Sequence, residues 1–193
     1  MSILIIDGHP DPSAHRLVHA LADAYRQGAE EARHEVRVVR VADLTFPLLR
    51  SQTEYEKEEP VEAVRQVQHL MEWATHVVIF YPLWLGSMPA MLKALLEQTL
   101  RPGFAFSAAR LGRSPVKFLR GKSARIVVTM GMPAFVYRWW FRAHSLRSLQ
   151  RNILGFLGFR RVRATIVGTA GSMSRAQCED WLATVRKLGQ AAA

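Results

Sequence analysis

The chain has a single cysteine, Cys178, among 193 residues. No disulfide can form within it, which fits a reducing compartment. No apolar run reaches the roughly 18 residues that a membrane-spanning helix needs. The amino-terminal residues lack the basic stretch and small-residue cleavage site of a secretory signal, so a cytoplasmic protein is the expectation. Internal repeats and Gly/Ser/Pro linkers are missing as well, and one domain over residues 1–193 is expected. No G-x-G-x-x-G follows a strand, which leaves a Rossmann dinucleotide site without support. Arg120-Gly121-Lys122-Ser123 has the tail of a phosphate loop, but Val116 stands where the first glycine is required, and a strand follows instead of preceding. Acidic residues are scarce in the second half. Residues 101–193 hold 17 Lys/Arg against Glu179 and Asp180 alone, whereas residues 1–100 hold 9 Lys/Arg and 14 Asp/Glu. A basic half of this kind suits nucleic acid, a membrane surface or a small polyanion such as a nucleotide cofactor.

What is present is ordinary globular material, 49% apolar and 22% charged. Short β-branched runs alternate with longer stretches of helical period. Strands are expected at residues 2–6, 36–41, 76–81, 124–129 and 163–168. Helices are expected at residues 14–32, 60–74 and 88–100, and from Ser174 onward with Gln177 closing a capping box. Pro60 and Pro89 suit first helical turns. Apolar strands separated by helices predict an α/β fold, a parallel sheet with helices on both faces. Periodicity does not give strand order, but five strands in a chain of this size suggest the doubly wound, flavodoxin-like five-stranded sheet of order 2-1-3-4-5. In such sheets ligands bind outside the carboxyl ends of the strands, where the winding reverses.

Three loops lie there. The first runs Gly8-His9-Pro10-Asp11-Pro12-Ser13-Ala14-His15-Arg16-Leu17. It leads into a helix whose first amides are free, and His9, Ser13, His15 and Arg16 add donors, so it reads as a phosphate cradle or as a simple cap at Ser13. The second, Tyr81-Pro82-Leu83-Trp84-Leu85-Gly86-Ser87-Met88-Pro89, is rigid and apolar and suits a planar heteroaromatic ring, or it covers the core. The third carries Thr129, Gly131 and Tyr137. Gly131 permits close backbone approach, and Tyr137 can donate a hydrogen bond.

Taken in order, these pieces resemble the flavodoxin-like NAD(P)H dehydrogenase (quinone) family. The match rests on Gly8-His9-Pro10 after strand 1, Phe80-Tyr81-Pro82-Leu83-Trp84 with Pro89-Ala90-Met91-Leu92-Lys93, Gly103-Phe104-Ala105-Phe106, Thr129 with Gly131, and Leu154-Gly155-Phe156-Leu157-Gly158-Phe159. The resemblance implies a flavin, FMN or FAD, and two-electron hydride transfer from NADH or NADPH to a quinone-like acceptor. It implies that His9, Ser13, His15, Arg16 and Leu17 hold the flavin's phosphate and ribityl end. Pro82, Leu83, Trp84 and Leu85 would back its ring, Thr129 and Gly131 would complete the other side, and Tyr137 would serve catalysis. The short chain favours FMN. The sequence departs from the family at Trp84, often Gln there, at Met132, often Gly, and at His144, one residue beyond the family's histidine. An alternative is a regulatory flavoprotein subunit bound to a membrane transporter, as in potassium-efflux systems.

The segment Arg138-Trp139-Trp140-Phe141-Arg142-Ala143-His144, with Arg147 and Arg151 beyond it, mixes aromatic and basic residues. It reads as a homodimer face, a lid, a membrane-surface helix or core with a solvated rim. Nucleic acid is the weakest reading, because no binding motif accompanies the charge.

Overall fold

The computed structural model describes residues 1–107 and 114–193. Five strands form one sheet: β1 Ser2–Asp7, β2 Glu35–Arg40, β3 His76–Pro82, β4 Ser123–Thr129 and β5 Arg161–Val167. All pairs are parallel, as the alternating pattern predicts, and the order is β2-β1-β3-β4-β5, the one expected for five strands in a chain of this size.

Successive side chains on a strand face opposite ways, so the continuous apolar runs of β1 and β3 feed two cores. Ile3, Ile5, Val78 and Phe80 pack with Leu21, Tyr25 and Val185 on one side. Leu4, Ile6, Val77 and Ile79 pack with Val67, Leu95 and Leu149 on the other. Each fully buried Ile or Leu adds about 1.5–3 kcal/mol. The first face carries α1 (Leu17–Glu31) and α7 (Arg175–Gln190). These helices cross closely: a Cβ on Gly28 would stand 2.0 Å from the Arg186 carbonyl oxygen, and one on Gly189 would stand 2.1 Å from that of Tyr25. Ser174 and Gln177 form the capping box that opens α7.

The second face is covered by α3 (Glu62–Trp73), by α4 (Ala90–Thr99), and by α6 (His144–Arg147) running on into a π-helical stretch, Ser148–Gly155. Two short helices lie outside the expected elements, α2 (Gln52–Glu56), which Ser51 caps by accepting the Glu54 N–H, and α5 (Ala134–Trp139). Three boundaries differ from expectation. α3 starts at Glu62 with Val61 as its cap, leaving Pro60 outside, and Pro89 caps α4 from just before its first turn. α1 starts at Leu17 rather than at residue 14, because Asp11 gathers residues 11–16 into a separate turn. Among the described residues no helix is long and apolar enough to cross a membrane.

Candidate active site at the strand ends

β1 and β3 are neighbours in space while their connections run to opposite sides, so the winding reverses between them. The loop after β1 is built around two acids. The Asp7 carboxylate is buried and accepts the His9 N–H at 3.2 Å. Its other oxygen meets Nδ1 of buried His19, three residues into α1. Nε2 of His19 lies 2.9 Å from the Asp11 carbonyl, which can only accept, so Nε2 carries a proton. Strand end, loop and helix are thereby clasped together.

Asp11 organises the outer turn. It accepts the Ser13 N–H at 2.8 Å and Nε of Arg16 at 2.8 Å, and both donors hold its carboxyl below the ordinary carboxylate range. The Asp11 N–H in turn donates to Nδ1 of His9 at 3.1 Å. That bond fixes the tautomer: His9 is neutral and carries its proton on Nε2. Burial first, and the neighbouring His19 second, lower its pKa and keep it so.

The loop after β3 stays attached to the sheet through the Leu83 N–H, which donates to the Thr129 carbonyl at 2.7 Å. Trp84 and Ser87 then exchange both backbone hydrogen bonds, at 2.8 and 2.9 Å. The two residues between them, Leu85 at φ 45° and Gly86 at φ 77°, close a tight turn of the kind that Asn-Gly normally makes. Leucine in this left-handed backbone costs about 1–2 kcal/mol, and its side chain is fully exposed. Trp84 meets His9 edge-on, with ring centroids 5.5 Å apart. Trp84, Leu85 and Met88 form one wall of a cleft of about 430 Å³, and Ser145, Ser148 and Ile153 form the other. A smaller cavity of about 170 Å³ between Tyr55, Leu96, Phe106 and Phe156 flanks α4 and falls below the usual size of a cofactor site.

The loop after β4 is tied to the one after β5. Met130 N–H donates to the Val167 carbonyl, Ala170 N–H to that of Met130, and Thr169 N–H to that of Met132. Thr169 has φ 55°, a further strained residue at the same edge and a rare state for a β-branched side chain.

The sequence-predicted residues divide accordingly. His9 and Trp84 are in contact, and Asp11 joins Ser13 and Arg16 to His9. Leu17 packs partly into the core under α1, and His15 is exposed. Pro82 and Thr129 are buried at the strand ends, Leu83 is half-buried and bonded to Thr129, and Gly131 is exposed; none of the four lines the cleft. Tyr137 stands apart. It is buried, and its hydroxyl is taken up by Ser145 at 2.7 Å and by the Leu146 N–H at 3.2 Å. Its oxygen does not reach the cleft; Ser145 does. Asp7, His19 and Ser145 escape a reading by loops. The available signal was a charged residue closing a buried strand and a histidine on the apolar face of α1.

The donor set fits the phosphate and ring of a flavin. Neutral His9, the Arg16 guanidinium and the first amides of α1 suit a phosphate, and the Trp84–Met88 wall suits a planar ring. Asp11 already engages Arg16, so phosphate would share that cation with it.

Comparisons with known proteins bear on the fold and the family. A ribosyldihydronicotinamide dehydrogenase-like protein of Penicillium crustosum is 28% identical over 159 residues, which is 68% of this chain and 58% of that protein. The chain thus spans little over half the length of that relative. An uncharacterized NAD(P)H oxidoreductase of Haemophilus influenzae is 26% identical over 172 residues, 87% of this chain and 84% of that protein. Among solved structures, an NAD(P)H:quinone oxidoreductase from Methanothermobacter marburgensis superposes with TM-score 0.79 at 23% identity, over 97% of this chain and 94% of the other. An FMN-dependent NADH-azoreductase from Bacillus anthracis, solved in complex with FMN, superposes with TM-score 0.74 at 14% identity, over 98% and 97%. At those identities the superpositions speak for the fold. The family model described as flavodoxin-like fold matches residues 1–188, and the chain belongs to that family.

Proposed function

We propose that this chain is a flavin-dependent NAD(P)H oxidoreductase that passes reducing equivalents to a quinone or a similar acceptor, with FMN as the flavin. One observation carries the reading: the His9–Trp84 contact joins the anion-donor loop after β1 to the apolar cleft after β3, at the point where the winding reverses. A relative named as an NAD(P)H oxidoreductase and another named as a ribosyldihydronicotinamide dehydrogenase-like protein support it. The transporter-subunit alternative gains nothing from these relatives.

When bound, the flavin supplies hydride chemistry, and the protein supplies binding, orientation and electrostatics. His9 Nε2–H and Arg16 would hold the phosphate. Trp84 and Leu85 would stack under the ring and exclude water. Thr129 and Gly131 would border it from the β4 side. Tyr137 acts as a positioning residue, holding Ser145 on the cleft wall. We place the protein in the cytoplasm.

Titration of the purified protein with FMN tests the reading. Flavin fluorescence should quench to a one-to-one end point, and NADPH under nitrogen should bleach the bound flavin. A soluble benzoquinone should then restore the colour. A protein that leaves FMN fluorescence unchanged overturns the proposal.

A further inference from the structure

Three ionisable side chains are buried together behind the loop that leads from β1 into α1. Asp7 is 1% exposed, and His9 and His19 are each 6% exposed. The two imidazole rings lie 5.3 Å apart, centroid to centroid. The hydrogen bonds in this group have a fixed sense. The Asp11 carbonyl can only accept, so Nε2 of His19 donates to it at 2.9 Å. One Asp7 oxygen accepts the His9 N–H at 3.2 Å. The other faces Nδ1 of His19. A carboxylate oxygen and a bare imidazole nitrogen both present lone pairs, so this contact holds only with one proton between them. Wherever that proton sits, the pair carries one more than a carboxylate and a neutral imidazole do. Burial keeps solvent from taking over the contact when the proton leaves.

The pair governs the loop through its backbone. Asp7 takes the amide of His9, and His19 takes the carbonyl of Asp11, whose own amide donates to Nδ1 of His9 at 3.1 Å. The direction of His9 Nε2–H, and the turn that carries Arg16, are therefore set from behind. Other charges nearby are engaged elsewhere. The Asp11 carboxylate is bonded to Arg16, and His15 is exposed. Arg40, beside Asp7 on β2, reaches toward Asp23 of α1 at 3.8 Å. On α7, Arg175 pairs with Glu179. Residues 82–92, which contain the loop after β3, hold no ionisable side chain. We propose that Asp7 and His19 are positioning residues of the anion-donor loop, and that the single proton they share keeps it in its flavin-binding shape. Flavin affinity then falls as pH rises and that proton leaves. The ligand rests on the flavin reading, whereas the shared proton is a property of the flavin-free protein.

Asp7→Asn tests it. Asparagine can accept the His9 N–H through Oδ1 and donate from Nδ2 to a neutral His19, so it closes the same contacts without a titrating proton. At about pH 6 its FMN affinity, read by flavin fluorescence, should match the unaltered chain within about threefold. Between about pH 6 and about pH 9.5 the unaltered chain should lose about tenfold or more relative to Asp7→Asn, since one released proton is worth up to about tenfold per pH unit. His9 and the FMN phosphate are common to both proteins and cancel in that ratio. Asp7→Ala breaks both contacts and should weaken FMN about tenfold or more at about pH 6, with circular dichroism establishing that it is folded. Urea unfolding of the flavin-free proteins is the second reading. The folded pair keeps a proton that the unfolded chain releases, so the unaltered chain should lose stability relative to Asp7→Asn as pH rises. An affinity ratio that stays constant with pH overturns the positioning role, and a constant stability difference overturns the shared proton. An unaltered chain that binds no FMN at any pH overturns the flavin reading instead, and the stability difference still decides the shared proton.

Discussion

His9 has its tautomer set by a neighbour it did not choose: the Asp11 amide occupies Nδ1, leaving Nε2–H as a neutral donor. His9→Ala should therefore weaken FMN binding by about ten- to a hundredfold, the worth of one hydrogen bond to a charged group. His9→Gln keeps a neutral N–H and should recover part of the loss, measured by flavin fluorescence. His76 is a different case. It lies at the opposite end of the sheet, buried, with Nδ1 on Ser123 at 2.7 Å. Burial, and then the Arg125 and Arg163 cations, lower its pKa from 6.5 to about 4. Between those values only the unfolded chain binds the extra proton. Stability is thus full above the unfolded value and falls as pH drops, by up to about 3 kcal/mol near pH 4. Urea unfolding at about pH 7 and about pH 4.5 reads this slope, and His76→Gln should remove its share of it.

At the scale of elements, the Tyr137 hydroxyl is the pin between α5 and α6. Tyr137→Phe should destabilise the fold by about 1–2 kcal/mol, leaving the Leu146 amide without its partner. On the proposed activity it should raise KM for the acceptor more than it lowers kcat, because Ser145 loses its anchor while no reacting group is removed. An equal fall in kcat and kcat/KM would place the hydroxyl in the reaction itself. The elements differ in how far the sequence announces them. β1, β3 and α7 are read directly, from continuous apolar runs and the Ser174–Gln177 box. α1 begins three residues late because a side-chain interaction, Asp11 on Ser13 and Arg16, competes with the helix for the same backbone. The π-helical residues 148–155 carry the same periodicity as an α-helix and differ only in which carbonyl each amide finds, as where Phe156 N–H reaches the Arg151 carbonyl.

For the whole molecule, the charge split makes a kinetic prediction. The β1 loop lies in the acidic half and would bind phosphate through local N–H groups, whereas the basic half would supply long-range attraction for the proposed dinucleotide. Raising salt should accordingly increase the KM for NAD(P)H more than it weakens FMN binding, since exposed charges are screened beyond about 8 Å at physiological ionic strength. Steady-state kinetics beside FMN titrations at two salt concentrations check it, and equal effects would direct the basic half to another partner.

The sequence by itself determined the sheet and its two cores, because apolar periodicity and buried strand length are local properties of the chain. Only the tertiary structure decided which loop residues meet. Asp7 with His19, His9 with Trp84, and Tyr137 with Ser145 are contacts made by packing helices onto that sheet, and spacing along a chain does not encode distances across it. The same packing withdrew Tyr137 from the cleft and left Trp139 and Trp140 in solvent, two outcomes that residue type alone would have assigned the other way round.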